Sequence, residues 1–263
     1  MIELPHRREL IGTAVSIADY DGVLDVFDAA VASQERIYVC CAPAHTLVAA
    51  RDDRSLREAL RDAAVVTADG MPVVWLARAL GEHVDDRVYG PDLMLAQCAR
   101  AQAQGQRIWL YGGFDTQALI ELQRVLTARF PELRIAGAWS PPHRALTGSE
   151  AAELVSRIEA DAPDVIWVGL GSPKQEIWMH EMRARLSAPV MCGVGAAFDF
   201  HAGRVAQAPR WMQKRGLEWL YRVCREPRRL AVRYLKSNPR FAALALRQIA
   251  RERRARPKNE DHG

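Results

Sequence analysis

A chain of 263 residues that is 49% apolar and 26% charged can bury a sizeable core as an ordinary soluble globular protein. No uninterrupted apolar stretch reaches the roughly 18–20 residues of a membrane-spanning helix, and Met1-Ile-Glu-Leu-Pro-His-Arg-Arg8 lacks the apolar run of a signal peptide. The net charge of +4 hides a +12 surplus in residues 201–263 over a −8 body, so the C-terminal part is expected to meet an anionic partner: lipid headgroups, a diphosphate or nucleic acid.

Apolar runs at 12–17, 36–41, 64–67, 107–111, 133–138, 165–168 and 189–194 predict strands. Helical patterns fill the gaps at 21–33, 55–62, 72–80, 91–102, 115–129, 149–161 and 174–186. Unbroken apolar strands alternating with helices of this length predict an α/β, Rossmann-like fold, a mostly parallel sheet with helices on both faces. A basic helical appendage follows, which places the expected boundary between a domain at 1–203 and an appendage at 204–263. The five cysteines (Cys40, Cys41, Cys98, Cys192 and Cys224) show no CxxC spacing and read as reduced packing thiols.

In such sheets ligands gather at the carboxyl ends of the strands. There this chain places Ala68-Asp69-Gly70, Gly112-Gly113, Gly169-Leu-Gly171-Ser-Pro-Lys-Gln175-Glu176 and Gly193-Val-Gly195-Ala-Ala-Phe-Asp199. Glycine lets backbone N–H groups approach an anion closely, although any one such turn is also what a tight strand end needs. Gly171 and Gly195 complete no GxGxxG fingerprint, and no Walker A sequence is present, which weighs against a nicotinamide enzyme or a P-loop NTPase. Ser172 is in no G-x-S-x-G elbow, and the seven histidines form no HExxH cluster. Asp19-Tyr20-Asp21 is the one D-x-D, the pattern of some metal-dependent transferases, but it opens a helix and capping explains it better than a divalent ion does. Asp69 reads two ways: an N-cap for the helix that begins near Pro72, or a carboxylate at the ligand edge able to take a proton from a hydroxyl.

The C-terminal part interleaves Trp211, Met212, Trp219, Leu220 and Tyr221 with cations, and Pro227-Arg-Arg-Leu-Ala-Val-Arg-Tyr-Leu-Lys236 adds a second basic segment. Such aromatics settle at a membrane interface or pack into a core; no nucleic-acid-binding motif accompanies them.

Taken in order, these blocks resemble the WecG/TagA/CpsF family of bacterial glycosyltransferases. They are Thr67-Ala-Asp-Gly70, Arg87-Val-Tyr-Gly-Pro-Asp92, Trp109-Leu-Tyr-Gly-Gly113, Val168-Gly-Leu-Gly-Ser-Pro-Lys-Gln-Glu176, Gly193 to Gly203, Ala208-Pro-Arg-Trp-Met212, Gly216-Leu-Glu-Trp-Leu-Tyr-Arg222 and Glu226-Pro-Arg-Arg229. The resemblance implies an inverting transferase that needs no metal or other cofactor. It would move an N-acetylmannosamine-type sugar, or a related hexose or uronic acid, from a UDP-sugar donor to a polyprenyl-diphosphate-linked sugar acceptor in cell-surface polysaccharide synthesis. It makes Asp69 the general base, Arg87 and Gln175 polar pocket residues, Asp199 a nucleotide contact, and Arg222, Arg229 and Arg233 diphosphate ligands on an appendage that closes over the site. Gly112, Gly113 and Gly171 join them as binding turns.

The resemblance also implies a peripheral protein on the anionic, cytoplasmic face of the cell membrane, with no nucleic-acid partner; it leaves a homo-oligomer open. Where the family has Thr-x-Asn after the second strand, this chain has Cys41-Ala42-Pro43, which removes an expected sugar contact and leaves the transferred sugar undetermined. A Rossmann-like oxidoreductase or a non-catalytic membrane or nucleic-acid adaptor are the rival readings. The first lacks its phosphate fingerprint, and the second leaves Asp69, Arg87, Gln175 and Asp199 without a purpose.

Overall fold

The computed structural model describes residues 2–255. The chain enters through β1 (Arg7–Leu10) and β2 (Thr13–Ser16), then runs α1 (Tyr20–Ser33), β3 (Ile37–Ala42), α2 (Ala44–Ala49), α3 (Arg54–Asp62), β4 (Val65–Ala68), α4 (Met71–Ala79) and α5 (Gly90–Gln104). The body continues through β5 (Arg107–Gly112), α6 (Thr116–Arg129), β6 (Arg134–Trp139), α7 (Gly148–Asp161), β7 (Val165–Gly169), α8 (Lys174–Met182), β8 (Val190–Gly193) and α9 (Ala197–His201). A helical segment of α10 (Arg210–Lys214), α11 (Glu218–Arg225) and α12 (Pro227–Ala255) follows.

The strands form one sheet in the order β1-β2-β4-β3-β8-β7-β5-β6. β1 and β2 pair antiparallel, and the other neighbours pair parallel. Side chains alternate between two cores. On β3, Tyr38, Cys40 and Ala42 join one cluster and Ile37, Val39 and Cys41 the other; on β7, Ile166 and Val168 oppose Val165 and Trp167. A strand buried on both faces must be apolar at consecutive positions, which is why these runs are unbroken in the sequence. The fold is the expected α/β arrangement with helices on both faces of a mostly parallel sheet.

The seven expected strands are β2 to β8, each with bounds within one residue of the reading. β1 escapes it because Arg-Arg-Glu-Leu carries no apolar pattern. Its arginines are held by partners outside the strand instead: the Arg7 guanidinium donates to the carbonyls of Ala14, Leu60 and Ala63, and Arg8 pairs with Glu252. The short helix α2, following directly on Pro43, was also not anticipated. The helix α8 ends at Met182, not Leu186, although Leu186 N–H still bonds to the Met182 carbonyl.

The C-terminal segment divides by what it touches. The latter half of α12 is anchored on the body: Phe241 and Ala245 are buried in the larger core cluster, and the Gln248 side chain accepts from Ile11 N–H at 2.7 Å and donates to the Glu9 carbonyl at 2.8 Å. α11 and the first turns of α12 lie over the carboxyl edge of the sheet, and α10 reaches it through the bond from Arg87 to Gln213. Of the cysteines, Cys40, Cys41, Cys98 and Cys192 are buried free thiols; Cys224 on α11 is exposed, because that helix leaves one face to solvent.

Candidate active site

Because the central strands are parallel, their carboxyl ends open on one cleft of about 1020 Å³, roofed by α11 and α12. Two glycines set its inner wall. A Cβ on Gly112 would sit 2.6 Å from the backbone of Gly169, and one on Gly169 would sit 2.7 Å from the Phe198 ring. Only bare backbone lets β5, β7 and α9 meet this closely, and that contact brings Asp199 of α9 to the cleft. Gly113 and Gly171 line the cleft, whereas Gly112 is buried behind the wall, where it makes room for Gly169.

Asp69 follows β4 and faces the cleft. It does not cap α4: the N-cap there is Gly70, whose φ of 135° suits glycine alone, and the Asp69 carboxylate instead accepts a long 3.4 Å bond from Gly90 N–H at the start of α5. Burial pushes its carboxyl up to about 7; Arg87 opposes the rise, Glu218 adds to it, and Gly90 N–H and Arg222 pull it down. A carboxylate balanced near neutrality in a cleft has the acidity of a general base.

Arg87 is held from the roof. Its Nη1 donates to Glu218 Oε2 at 2.7 Å and its Nη2 to Gln213 Oε1 at 2.7 Å, while its guanidinium lies 3.9 Å from the centre of the Tyr89 ring. Tyr89 donates its hydroxyl to the other Glu218 oxygen at 2.9 Å. The Arg87 and Glu218 side chains are only 9% and 15% exposed, so body and C-terminal segment meet here through a largely desolvated ion pair.

Beside that pair the roof is cationic. Arg222, half-buried, places its guanidinium 5.5 Å from the Phe200 ring centre, and Arg233 is exposed; both line the cleft. Their field is felt by His45 on α2, whose pKa falls to about 3 through burial first and then through Arg233 and Arg222. His45 is thus neutral, its ring edge-on to Tyr234 at 6.0 Å, and Tyr234 in turn packs 6.2 Å from Trp219. The side chain of Arg229 is outside the described residues.

On the wall beyond β7, buried Gln175 accepts from Gly171 N–H at 3.1 Å and donates to Glu176 at 3.3 Å, which fixes the orientation of its amide. Glu176 is fully buried, and burial pushes its carboxyl up to about 7. Asp199, half-buried on the same side, is 3.9 Å from Arg204. The structure therefore brings Asp69, Arg87, Gln175, Asp199, Arg222 and Arg233 to one cleft. Asp19 caps α1 by accepting from Gly22 N–H at 2.8 Å, and exposed Asp21 pairs with Arg100 at 3.6 Å. Neither lines the cleft.

Sequence reasoning did not single out Glu218, Gln213, Tyr89 or His45. Tyr89 and Glu218 do fall inside motif blocks quoted above, but nothing in their spacing joins position 87 to 218 across 131 residues. His45 follows the aberrant Cys41-Ala42-Pro43 and had no signal of its own.

A model of the glycosyl transferase WecG/TagA/CpsF family matches residues 8–255. The chain is also 30% identical, over 188 residues, to the N-acetylglucosaminyldiphosphoundecaprenol N-acetyl-beta-D-mannosaminyltransferase of Bacillus spizizenii. That similarity covers 72% of this chain and 70% of the relative.

Proposed function

The chain belongs to the WecG/TagA/CpsF family of glycosyl transferases, and on that premise we propose that it moves a sugar from a UDP-sugar to a polyprenyl-diphosphate-linked saccharide, with inversion and with Asp69 as base. The observation that carries this reading is the cleft itself: one carboxylate with its pKa near 7 shares a cavity with Arg222 and Arg233. The donor diphosphate fits the cationic roof and the glycine-bearing wall, with Asp199 toward the nucleotide and the Gln175 amide toward a sugar. Asp69 takes the proton from the acceptor hydroxyl, and the oxygen attacks the anomeric carbon from the face opposite the diphosphate. The bond to UDP breaks as the arginines stabilise the charge that develops on it.

The relative's name supplies the candidates for both substrates: N-acetylmannosamine as the transferred sugar, and a diphosphate-linked N-acetylglucosamine on a polyprenyl chain as acceptor. Pro43 lines the cleft without an N–H to offer, so the donor is best identified by competition. Incubated with a panel of UDP-sugars and a short-chain polyprenyl-diphosphate-N-acetylglucosamine, the protein should add one N-acetylhexosamine to the acceptor, read by product mass. No mass gain with any UDP-sugar would overturn the reading.

A lipid-linked acceptor requires an approach to a membrane. No helix among the described residues is long and apolar enough to cross one. The C-terminal segment instead exposes Trp211 (55%), Leu220, Val232 and Leu235 (72%) among its cations. Exposed apolar side chains among cations suit peripheral attachment at the cytoplasmic surface, where each Lys or Arg near anionic lipid contributes about 1 kcal/mol. Binding to phosphatidylglycerol vesicles should be strong at low salt and fall steeply by several hundred millimolar, since screening acts on such surface charge. Equal binding to neutral vesicles, indifferent to salt, would count against it.

A further inference from the structure

Arg87 is the cation that most opposes the effect of burial on Asp69, yet both of its terminal nitrogens are given to the C-terminal segment. Glu218 takes one and Gln213 the other, and Tyr89 anchors the second Glu218 oxygen. Gly216 makes the approach feasible: its φ is 67°, and a Cβ there would sit 2.7 Å from the Trp75 ring of α4, so a side chain would hold α11 away.

We propose that Glu218 is a positioning residue for the transfer: by occupying the Arg87 guanidinium, it keeps that cation from pairing with Asp69, so that the carboxylate becomes an effective proton acceptor only when the C-terminal segment is docked. With the segment away, Arg87 is released into the neighbourhood of Asp69, and an ion pair there makes the carboxylate a weaker base. Docking would then do two things at once, bringing Arg222 and Arg233 over the cleft and setting the strength of the base. An undocked enzyme would lack both the roof arginines for the donor diphosphate and a competent acceptor for the proton, which limits idle hydrolysis away from the membrane.

The other groups around Asp69 do not duplicate this role. Arg222 on α11 lowers its pKa, as does Gly90 N–H at the start of α5. Tyr20 on α1, Tyr89 before α5, Cys192 on β8 and Tyr234 on α12 also sense the Asp69 charge, and each is itself pushed up by burial, so all four stay neutral. Glu218 is thus the facing anion.

The inference rests on Asp69 as base, and the test separates the two. In the full-length protein, Glu218→Gln keeps a carbonyl oxygen to accept from Arg87, turns its amide N–H toward the Tyr89 hydroxyl, which can accept in its place, and loses the charge. The Asp69 carboxyl resonance, assigned by its loss in Asp69→Asn, is titrated by carbon NMR in wild type and in Glu218→Gln, alongside kcat/KM from pH 5 to 9. The expected result is a titration midpoint lowered by about one unit or more. The acid limb of the rate profile should move down with it, the plateau should fall about 3–10-fold as the base weakens, and Glu218→Asp should restore both. A midpoint that stays where it was, or rises, overturns the proposal whatever the rates do. A midpoint that falls while the wild-type profile shows no acid limb removes Asp69 as base and leaves the Glu218–Arg87–Asp69 coupling standing.

Discussion

Asp69→Asn should lower kcat by about 10²–10⁴-fold while leaving the protein folded and still able to bind its donor. Asparagine has the same volume, and its side-chain oxygen can still accept the Gly90 N–H bond that Asp69 accepts at 3.4 Å. It does not cost a helix its cap, because Gly70 is the N-cap of α4. What is lost is the ability to accept a proton from the acceptor hydroxyl. Donor affinity, measured by calorimetry with UDP-sugar alone, should therefore change little against the change in turnover. A variant that turns over at the wild-type rate would remove the central assignment, and one that fails to bind donor would move Asp69 to a binding role.

Arg87→Met should be the most disruptive single change to the closed cleft. Removing one partner of a largely buried pair leaves the other as an uncompensated charge, typically at about 3–5 kcal/mol. Here the orphan is Glu218, 15% exposed and facing Asp69, so the cheapest relief is for α10 and α11 to lift away. Hydrogen exchange should rise in those two helices while the sheet, whose cores do not include Arg87, keeps its protection. In the molecules where α11 stays docked, the acid limb of the rate profile should move upward, opposite to the shift expected for Glu218→Gln, because Asp69 loses the cation that most lowers its pKa. Arg87→Lys keeps the charge without the planar fork, so it should hold the limb near its wild-type position while loosening the grip on Gln213. Unchanged exchange in α10 and α11 together with wild-type activity would show that the pair has no part in closure.

The sheet was legible in the sequence because its central strands are buried on both faces, and unbroken apolar runs such as Ile37–Ala42 have few other uses. The location of the cleft followed from the same fact, since parallel strands carry their loop residues to a common edge. The packing of that edge did not follow. Gly112 and Gly113 are neighbours of the same type, yet one is buried against Gly169 and the other lines the cleft. Nor did the basic segment reveal how its aromatics are shared out. Trp219 and Tyr234 turn into the cleft while Trp211 and Leu235 face solvent, and an interleaving of rings and cations is compatible with either face. β1 was hidden for a different reason: its arginines, Arg7 and Arg8, are held by contacts to distant parts of the chain, including Glu252 of α12. Long-range polar pairing of this kind, like that of Arg87 with Glu218, leaves no periodic trace in a sequence.

The pH dependence of kcat/KM for the wild-type enzyme, measured with donor and lipid-linked acceptor from pH 5 to 9, addresses the role of Asp69 directly. A base held near neutrality by burial must be deprotonated to act, so the rate should rise through an apparent pKa of about 7 and then level off. A profile already flat from pH 5, where a buried carboxyl of this acidity is still protonated, would show that Asp69 does not take the proton.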